Sequence, residues 1–341
     1  MTGTTDRAEI ADQEGNVTEA PATTAAPERH DVIVVGSANQ DYVITCDALP
    51  TAGETRLASG MQKFPGGKGA NQAVAAARLG APVTFVGAVG DDDDGALVIR
   101  ELRAEGVDTS EIEINSSERT GLAIVSVLPD GENAITVVPG ANYTVSAERT
   151  ARTVSRLTGP QSILVVQAEI PVDAIAAAVD AAVRAGARSV INLAPYTELP
   201  DRVLAAADPL VVNEIEAAAL TGYAIDSTDT ALRAASELAA RSRSCVITLG
   251  ADGACWAIAD AAGRVAAPPA AQVVDSTGAG DAFIGGLVRR LTEGDVDLAD
   301  AVRVGVEVGT VAVTRVGAQA SYPLETEIKQ LHRHASDAAR S

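Results

Sequence analysis

A short run that opens a predicted helix carries residue types suited to a reaction that develops negative charge. Gly278, Ala279 and Gly280 would present free backbone N–H groups at a helix N-terminus, where the helix dipole favours an anion. Asp281 follows in the first turn. It could be a carboxylate that only stabilises the helix dipole, or a general base beside an anion-binding site. A base next to such a site is what phosphoryl transfer to a hydroxyl requires.

A second glycine-rich run, residues 66–72, opens another predicted helix at about 69–79. It is not a P-loop, because the pattern G-x-x-x-x-G-K-[ST] is not satisfied. Glycines allow the backbone to approach a ligand closely, and Lys68 and Asn71 offer hydrogen-bond donors. Taken alone, the run could equally be a flexible entry into a helix.

The rare residue types exclude several kinds of active site. The three histidines, His30, His332 and His334, lie near the termini, which argues against a Ser-His-Asp site or a zinc site with histidine ligands. A general acid or base would then have to be a carboxylate, a lysine or a tyrosine. The number of cysteines is odd and no C-x-x-C occurs, so we expect buried thiols in a reducing compartment.

The composition of the 341 residues excludes other classes of protein. Lys and Arg total 26 and Asp and Glu total 46, a net charge of −20 that argues against a nucleic-acid partner. A hydrophobic content of 47% excludes global disorder. No apolar run of the ~18 residues needed to span a bilayer occurs, and no N-terminal secretion signal is evident. We therefore expect a cytoplasmic protein with no membrane partner.

Apolar β-branched runs that alternate with alanine-rich helical runs predict an α/β fold with a doubly wound, mostly parallel sheet flanked by helices. We expect a disordered tail over 1–30, one domain over 31–325, and a C-terminal helix or tail over 326–341. Extra β-runs at about 37–66 and 111–138 would form a small appended sheet that acts as a lid, with Pro129-Asp130-Gly131 as a hairpin turn. The strands at about 254–258 and 264–267 look antiparallel. Helices are predicted at about 69–79, 95–105, 171–184, 201–207, 214–220, 228–240, 279–292 and 297–312.

Polar residues follow five of the predicted strands. In doubly wound sheets ligands bind outside the carboxyl ends of the strands, so these residues would gather at one edge. Each one taken singly is more simply a turn residue. The residues are Asn39, Gln40 and Asp41 after the first strand, then Glu169, Asn192, Asn213 with Glu216, and Asp252 with Gly253.

The two glycine-rich runs, in this order and separation, resemble the ribokinase family, the carbohydrate kinases of the phosphofructokinase-B type. The similarity extends from about residue 31 to 323. It implies ATP-dependent phosphorylation of D-ribose at its 5-hydroxyl to give ribose 5-phosphate. It is carried by VVGSANQDYV, PTAGET, FPGGKGANQAVAAARLGA, VGDDDDG, VQAEIP, NLAP, NEIEAAALTG, VITLGADG, VDSTGAGDAFIGGL and AVTRVGAQASYP.

The resemblance also implies roles for the sugar and the base. Asp281 corresponds to the base that deprotonates the sugar, and Gly278, Ala279 and Gly280 to the anion hole around the γ-phosphate. The appended sheet would be both lid and homodimer interface. Residues similar to the family's sugar-binding groups are Asn39, Gln40, Asp41, Gly67, Lys68, Gly69, Asn71 and Glu169.

For the cofactors, the resemblance implies ATP, Mg²⁺ and an activating K⁺. Asn213 and Glu216 match an N-x-x-E that orders Mg²⁺ near the phosphates. The ATP-binding loop would comprise Thr248, Leu249, Gly250, Ala251, Asp252 and Gly253, with Gly280 and Asp281 also at the nucleotide. The potassium positions would be Asp275, Thr277, Ala312, Arg315, Gly317 and Ser321, several of them through backbone carbonyls.

Three alternatives stay open at this point. The chain could phosphorylate another pentose, deoxyribose or a nucleoside. It could be a non-catalytic sugar-binding regulator, although such a protein would not need an intact Asp281 and Lys68. A dinucleotide-dependent oxidoreductase is disfavoured, because no G-x-G-x-x-G follows the first strand.

Overall fold

The computed structural model describes residues 30–128 and 133–330. The strands in these ranges are β1 (Val32–Val35), β2 (Asn39–Thr45), β3 (Gly60–Gly66), β4 (Val83–Gly90), β5 (Asp108–Asn115), β6 (Gly121–Val127), β7 (Asn133–Val138), β8 (Ile163–Gln167), β9 (Arg188–Asn192), β10 (Ala207–Asn213), β11 (Ser244–Thr248), β12 (Ala254–Ile258) and β13 (Ala261–Val265). The helices are α1 (Lys68–Arg78), α2 (Asp93–Ala104), α3 (Ala147–Leu157), α4 (Val172–Ala185), α5 (Asp201–Ala206), α6 (Glu214–Thr221), α7 (Thr228–Ala239), α8 (Ala279–Leu291) and α9 (Leu298–Ala312).

Nine strands form one large sheet in the order β13-β12-β11-β10-β9-β8-β1-β4-β5. Pairing is parallel from β5 to β11 and antiparallel for β12 and β13, as predicted. The central strands are almost continuously apolar because helices cover both faces of the sheet. Leu164 and Val166 pack under α4, whereas Val34 and Phe85 pack under α1 and α8.

The small sheet has the strand order β3-β2-β6-β7. It lies in the predicted lid region, but the run Glu111–Asn115, which the sequence analysis placed in the lid, belongs to β5 at the edge of the large sheet. The reason is that β4, α2 and β5 make a βαβ unit, whose second strand normally returns beside the first in the same sheet. The prediction that the second segment of the appended sheet begins at about 111 is therefore wrong, and that segment of the small sheet begins with β6.

Helix α3 (Ala147–Leu157) is not among the predicted helices, and the remaining differences from the predicted elements are small. The last strand of the large sheet covers Ala261–Val265 rather than about 264–267. The predicted turn Pro129-Asp130-Gly131 lies outside the described residues, although β6 and β7 pair antiparallel. Of the predicted tail over 1–30, residues 1–29 also lie outside them, as do residues 331–341, and residues 325–330 are helical.

Between residues 30 and 128 and between 133 and 330, no helix combines the length and apolar character that crossing a bilayer requires.

Candidate active site

Three of the polar residues predicted at the carboxyl ends of the strands, Asn192, Asn213 and Glu216, meet at one edge of the large sheet. A cavity of about 90 Å³ lies there, between the ends of β9 and β10 and the N-termini of α1 and α8. The parallel sheet explains the clustering, since all these strands end at the same edge. The polar residues that line the cavity are Lys68, Asn192, Asn213, Glu216, Thr248 and Asp281.

Asp281 lies in the first turn of α8 and is only 6% exposed. The N-cap of this helix is Gly278, whose φ of 75° lies in the left-handed region and whose Cβ position would be 2.6 Å from the Tyr322 hydroxyl. No side chain caps the helix, and nothing lies within 4 Å of a Cβ built on Gly280. The N–H of Ala279, predicted to be free, instead donates to Ser276 O at 3.2 Å in the turn that enters the helix. The N-terminus of α8 is therefore open to an anion from the side of Gly280.

The hydrogen bonds of Asp281 reach another helix. Its Oδ2 accepts from Asn71 Nδ2 at 3.0 Å and its Oδ1 from Gln72 Nε2 at 2.9 Å. Both donors lie on α1, and α8 can approach α1 this closely because Gly285 has no side chain: a Cβ there would lie 2.3 Å from Ala75 Cβ. A carboxylate held in this way has a defined direction, which favours the role of base over that of a helix-terminal charge.

Two further carboxylates flank Asp281. Asp41 lies in β2, and its buried Oδ1 has no hydrogen-bond partner among the described residues. Burial, followed by the negative charges of Glu169 and Asp281, raises the pKa of Asp41 to about 7. Glu169 Oε2 accepts from Ser37 Oγ at 2.5 Å and from Lys68 N at 3.0 Å. An unpaired buried acceptor such as Asp41 Oδ1 is suited to a hydroxyl of a ligand.

The Lys68 ammonium is the positive charge that lies among these carboxylates. Asp281 raises the pKa of Lys68 most, burial opposes it, and Glu169 and Glu216 raise it further. The amine therefore stays protonated among three carboxylates. At this position it can pair with a phosphate or a sugar hydroxyl that enters the cavity.

The other predicted sugar-binding residues take different positions. Gly67 and Gly69 pack so closely against the segment 36–39 that a Cβ would lie 2.9 Å from Ala38 Cα and 2.7 Å from Ser37 N, respectively. Asn39 Oδ1 accepts from Asn142 Nδ2 at 2.7 Å. Gln40 donates to Phe64 O at 2.7 Å and, by strand alternation, lies on the face of β2 opposite Asp41.

The N-x-x-E residues form a capping box at the start of α6. Asn213 Oδ1 accepts from Glu216 N at 2.9 Å, and Glu216 Oε2 accepts from Asn213 N at 2.8 Å. Burial raises the pKa of Glu216, although the Asn213 N–H and Lys68 act in the opposite direction. Both residues also line the cavity, so the N-x-x-E pattern both caps α6 and contributes side chains to the site.

The predicted ATP-binding loop ends β11 and makes a single 3₁₀ turn, Gly250–Asp252. Thr248 is the member that lines the cavity, whereas Asp252 forms an ion pair with Arg264 at 3.1 Å. The loop thus extends from the cavity along the sheet edge. The predicted members Leu249, Ala251 and Gly253 lie in this same turn or beside it.

The predicted potassium positions lie before α8 (Asp275 and Thr277), at the last residue of α9 (Ala312) and in the segment after it (Arg315, Gly317 and Ser321). Asp275 joins the loop before α8 to the loop after α9. Asp275 Oδ1 accepts from Thr277 N at 2.9 Å and Oδ2 from Gly317 N at 2.8 Å, and these bonds outweigh burial and lower the pKa of Asp275. Arg315 pairs with Glu327, and Ser321 Oγ donates to Ala318 O at 2.7 Å. Within the described ranges, no group of three or more His, Cys, Asp or Glu side chains could hold a metal ion. The side chains of Asp275, Arg315 and Ser321 thus already have hydrogen-bond or ion-pair partners.

Sequence reasoning missed several amide side chains that hold the site together. Gln72 contacts Asp281 directly, Gln319 Nε2 donates to Asn71 Oδ1 at 3.0 Å, and Asn142 holds Asn39 and the backbone of Ala38. Gln72 lies next to Asn71 in the glycine-rich run, so its position four residues after Lys68 was the available signal.

A buried, oriented carboxylate beside an open helix N-terminus, with a lysine across the cavity, defines a phosphotransferase of the α/β class. Residues 29–325 match the family model described as pfkB family carbohydrate kinase, and the chain belongs to this family.

Known relatives agree with this assignment. The chain is 36% identical over 308 residues to a ribokinase of Haemophilus influenzae, covering 90% of this chain and 100% of that protein. It is 34% identical over 311 residues to a deoxyribokinase of Salmonella typhi, covering 90% and 99%. The structure of Arabidopsis thaliana ribokinase complexed with ribose and ATP superimposes with a TM-score of 0.81 at 30% identity, covering 89% of this chain and 98% of that one.

Proposed function

We propose that this carbohydrate kinase transfers the γ-phosphoryl group of ATP to the 5-hydroxyl of D-ribose and gives ribose 5-phosphate and ADP. One observation carries the proposal: the buried Asp281 carboxylate is oriented by two amide donors beside the uncapped N-terminus of α8. The similarity to ribokinases over about nine-tenths of the chain supports ribose as the acceptor.

The sugar would bind between the small sheet and the edge of the large one. Asp41 Oδ1, buried and unpaired among the described residues, would accept a hydrogen bond from a ribose hydroxyl. Glu169 would accept another, since Ser37 and Lys68 N–H already hold its Oε2 in place. This arrangement would leave the 5-hydroxyl directed at Asp281.

Asp281 would take the proton of the 5-hydroxyl as the oxygen attacks the γ-phosphorus. The new O–P bond forms while the bond from the γ-phosphorus to the bridging oxygen of ADP breaks, and that electron pair leaves with ADP. The backbone N–H groups of Gly278 and Gly280, together with Lys68, would stabilise the charge on the transferring group, whereas Ala279 N already donates to Ser276 O at 3.2 Å. These groups are held in place by the close packing of α8 against α1, where Gly285 lies against Ala75.

The residues present fit the two implied cations. Glu216 lines the cavity next to Lys68 and, with Asn213, would hold Mg²⁺ and its waters near the phosphates. The loops joined by Asp275 offer carbonyl oxygens, which are ligands for K⁺. When bound, these ions neutralise phosphate charge and add positive charge beside the N-terminus of α8. The positions proposed for K⁺ remain Asp275, Thr277, Ala312, Arg315, Gly317 and Ser321.

We also propose a homodimer formed through the small sheet. On the face that carries Asp41, cross-strand pairing aligns Val43 with Val125 and Ile135, and Asp41 with Ala123 and Val137. Ile135 is 57% exposed and Val137 47% exposed. A second copy of this sheet would bury these apolar side chains.

We also propose that the protein is cytoplasmic. The three cysteines, Cys46, Cys245 and Cys255, are buried and unpaired with one another, as expected in a reducing compartment.

Deoxyribose is the second candidate acceptor, because the deoxyribokinase of Salmonella typhi is as similar to this chain as several ribokinases are. The test is ADP release with ribose, 2-deoxyribose, other pentoses and nucleosides, each with and without K⁺. We expect the highest kcat/KM with ribose and a further increase with K⁺. If ribose supports no turnover under either condition, the assignment of ribose is wrong, and turnover with deoxyribose alone would favour the second candidate.

A further inference from the structure

The side-chain amide of Gln72 is fully engaged inside the site. Gln72 is 2% exposed, and its Nε2 donates both to Asp281 Oδ1 and to Asn192 Oδ1, each at 2.9 Å. Its Oε1 accepts from Gln167 Nε2 at 2.6 Å. The residue thus joins the predicted base to the carboxyl ends of β8 and β9.

The backbone determines which way this amide points. Asn192 Nδ2 donates to Val211 O at 3.1 Å, and a carbonyl oxygen can only accept. Asn192 must therefore turn its oxygen towards Gln72, and Gln72 must turn its NH₂ group towards Asn192 and Asp281. The backbone carbonyl of Val211 in β10 thus orients the amide of Asn192, and Asn192 orients the amide of Gln72. This chain determines that Gln72 donates its hydrogen bond to Asp281.

We propose that Gln72 is a positioning residue for phosphoryl transfer. Its amide donates to Asp281 and holds the carboxylate in the orientation in which it can accept the proton of the attacking hydroxyl. The inference rests on the proposed kinase activity and deepens it. Asn71 and Gln72 each donate to a different oxygen of Asp281, so the carboxylate cannot rotate without breaking one of the two bonds. Each oxygen still has acceptor capacity for the substrate proton.

The other charges around Asp281 belong to groups that are not hydrogen-bond partners of the Gln72 side chain among the described residues. They come from Lys68 on α1, Asp41 on β2, Glu169 after β8 and Glu216 on α6. A change in turnover on substitution of Gln72 would therefore report on the amide itself.

The first test replaces Gln72 with methionine, which has a similar length and no donor. We expect kcat with ribose to fall by about 10- to 100-fold, whereas KM for ribose changes by less than about threefold, because the carboxylate loses its alignment and not its contact with the sugar. Gln167→Met is the matched control. It removes an equally buried amide but leaves both donor bonds of Gln72, so we expect a clearly smaller fall in kcat.

The second test is Gln72→Glu, which keeps the shape and the acceptor for Gln167. When ionised, the introduced carboxylate would repel Asp281, and when protonated it could donate to Asp281 as the amide does. The ratio of wild-type to variant kcat should therefore decrease from about pH 9 to about pH 6. A purely structural role would leave this ratio independent of pH.

These outcomes separate the inference from the proposed function. If the wild-type chain does not turn over ribose, the function fails. If it does, a Gln72→Met variant with kcat within about twofold of wild type overturns the inference. Equal losses in Gln72→Met and Gln167→Met also overturn it, as does a pH-independent ratio for Gln72→Glu.

Discussion

Substituting asparagine for Asp281 separates a base from a helix-terminal charge. Asparagine keeps the shape of the side chain but cannot take the proton of a hydroxyl. Loss of a general base lowers turnover by about 10²- to 10⁴-fold. This corresponds to about 3 to 5 kcal/mol of barrier. A residue that only stabilises the helix dipole would cost about 1 kcal/mol of stability and little turnover.

The structure also gives the expected effect on stability. Asn71 Nδ2 and Gln72 Nε2 both point at Asp281, from 3.0 and 2.9 Å. The amide in Asp281→Asn has one oxygen and one NH₂ group, so one of these buried donors would face another donor. An unsatisfied buried donor costs about 1 to 3 kcal/mol. We expect a fall of that size in the free energy of unfolding, in a variant that still folds.

The loss of the negative charge should also be felt at Asp41. The pKa of Asp41, about 7, is raised mainly by burial and in part by Glu169 and Asp281. In Asp281→Asn it should therefore be lower, as an NMR titration of the Asp41 carboxyl would show. Ribose affinity, measured by calorimetry without ATP, should change by less than about threefold.

Turnover is followed by ADP release, with Asp229→Asn as the matched control. Asp229 is also a first-turn acid, on α7, and is exposed and outside the cavity. The turnover of Asp229→Asn therefore measures the effect of removing a helix-terminal charge alone. If folded Asp281→Asn retains turnover within about tenfold of wild type, Asp281 is not the base.

Three further predictions follow from buried or exposed groups. Because the folded-state pKa of Asp41 is raised from 3.8 to about 7, the native state binds its proton more tightly, and this carboxyl destabilises the fold progressively as pH rises from about 4 to about 7. Asp41→Asn should therefore stabilise the protein more at about pH 8 than at about pH 5 in urea unfolding, and an equal effect at both would contradict this. The Tyr322 hydroxyl is buried without a hydrogen-bond partner in the described residues, so Tyr322→Phe should leave stability unchanged or raise it by about 1 kcal/mol, and a clear loss would show that the hydroxyl is bonded. Ile135→Glu, on the exposed apolar face of the small sheet, should convert the proposed dimer to monomers in sedimentation analysis, and an unchanged dimer would exclude this interface.

Local patterns were enough to predict most of the fold. The runs around β1, β8, β10 and β11 are apolar and β-branched because both of their faces are buried, so they can be recognised without a partner strand. Helix bounds follow from caps and periodicity, as for α6, which begins at the Asn213 and Glu216 capping box.

The placement of β5 could not be deduced from its own residues. Its alternation of polar and apolar residues suits either an edge of the large sheet or the lid. The choice depends on the chain that precedes it, because α2 returns the chain beside β4.

The sequence alone determined which reactive side chains are available. No histidine lies between His30 and His332, an aspartate follows the glycine-rich run that begins one helix, and a lysine lies in a second glycine-rich run. These are short-range patterns, set by neighbours along the chain. Only the tertiary structure decided that Asn71 and Gln72 hold the two oxygens of Asp281, from positions 210 and 209 residues away. Hydrogen bonds over such separations depend on how α1 and α8 pack against each other on one face of the sheet, and packing is decided by the whole core rather than by any local run of residues.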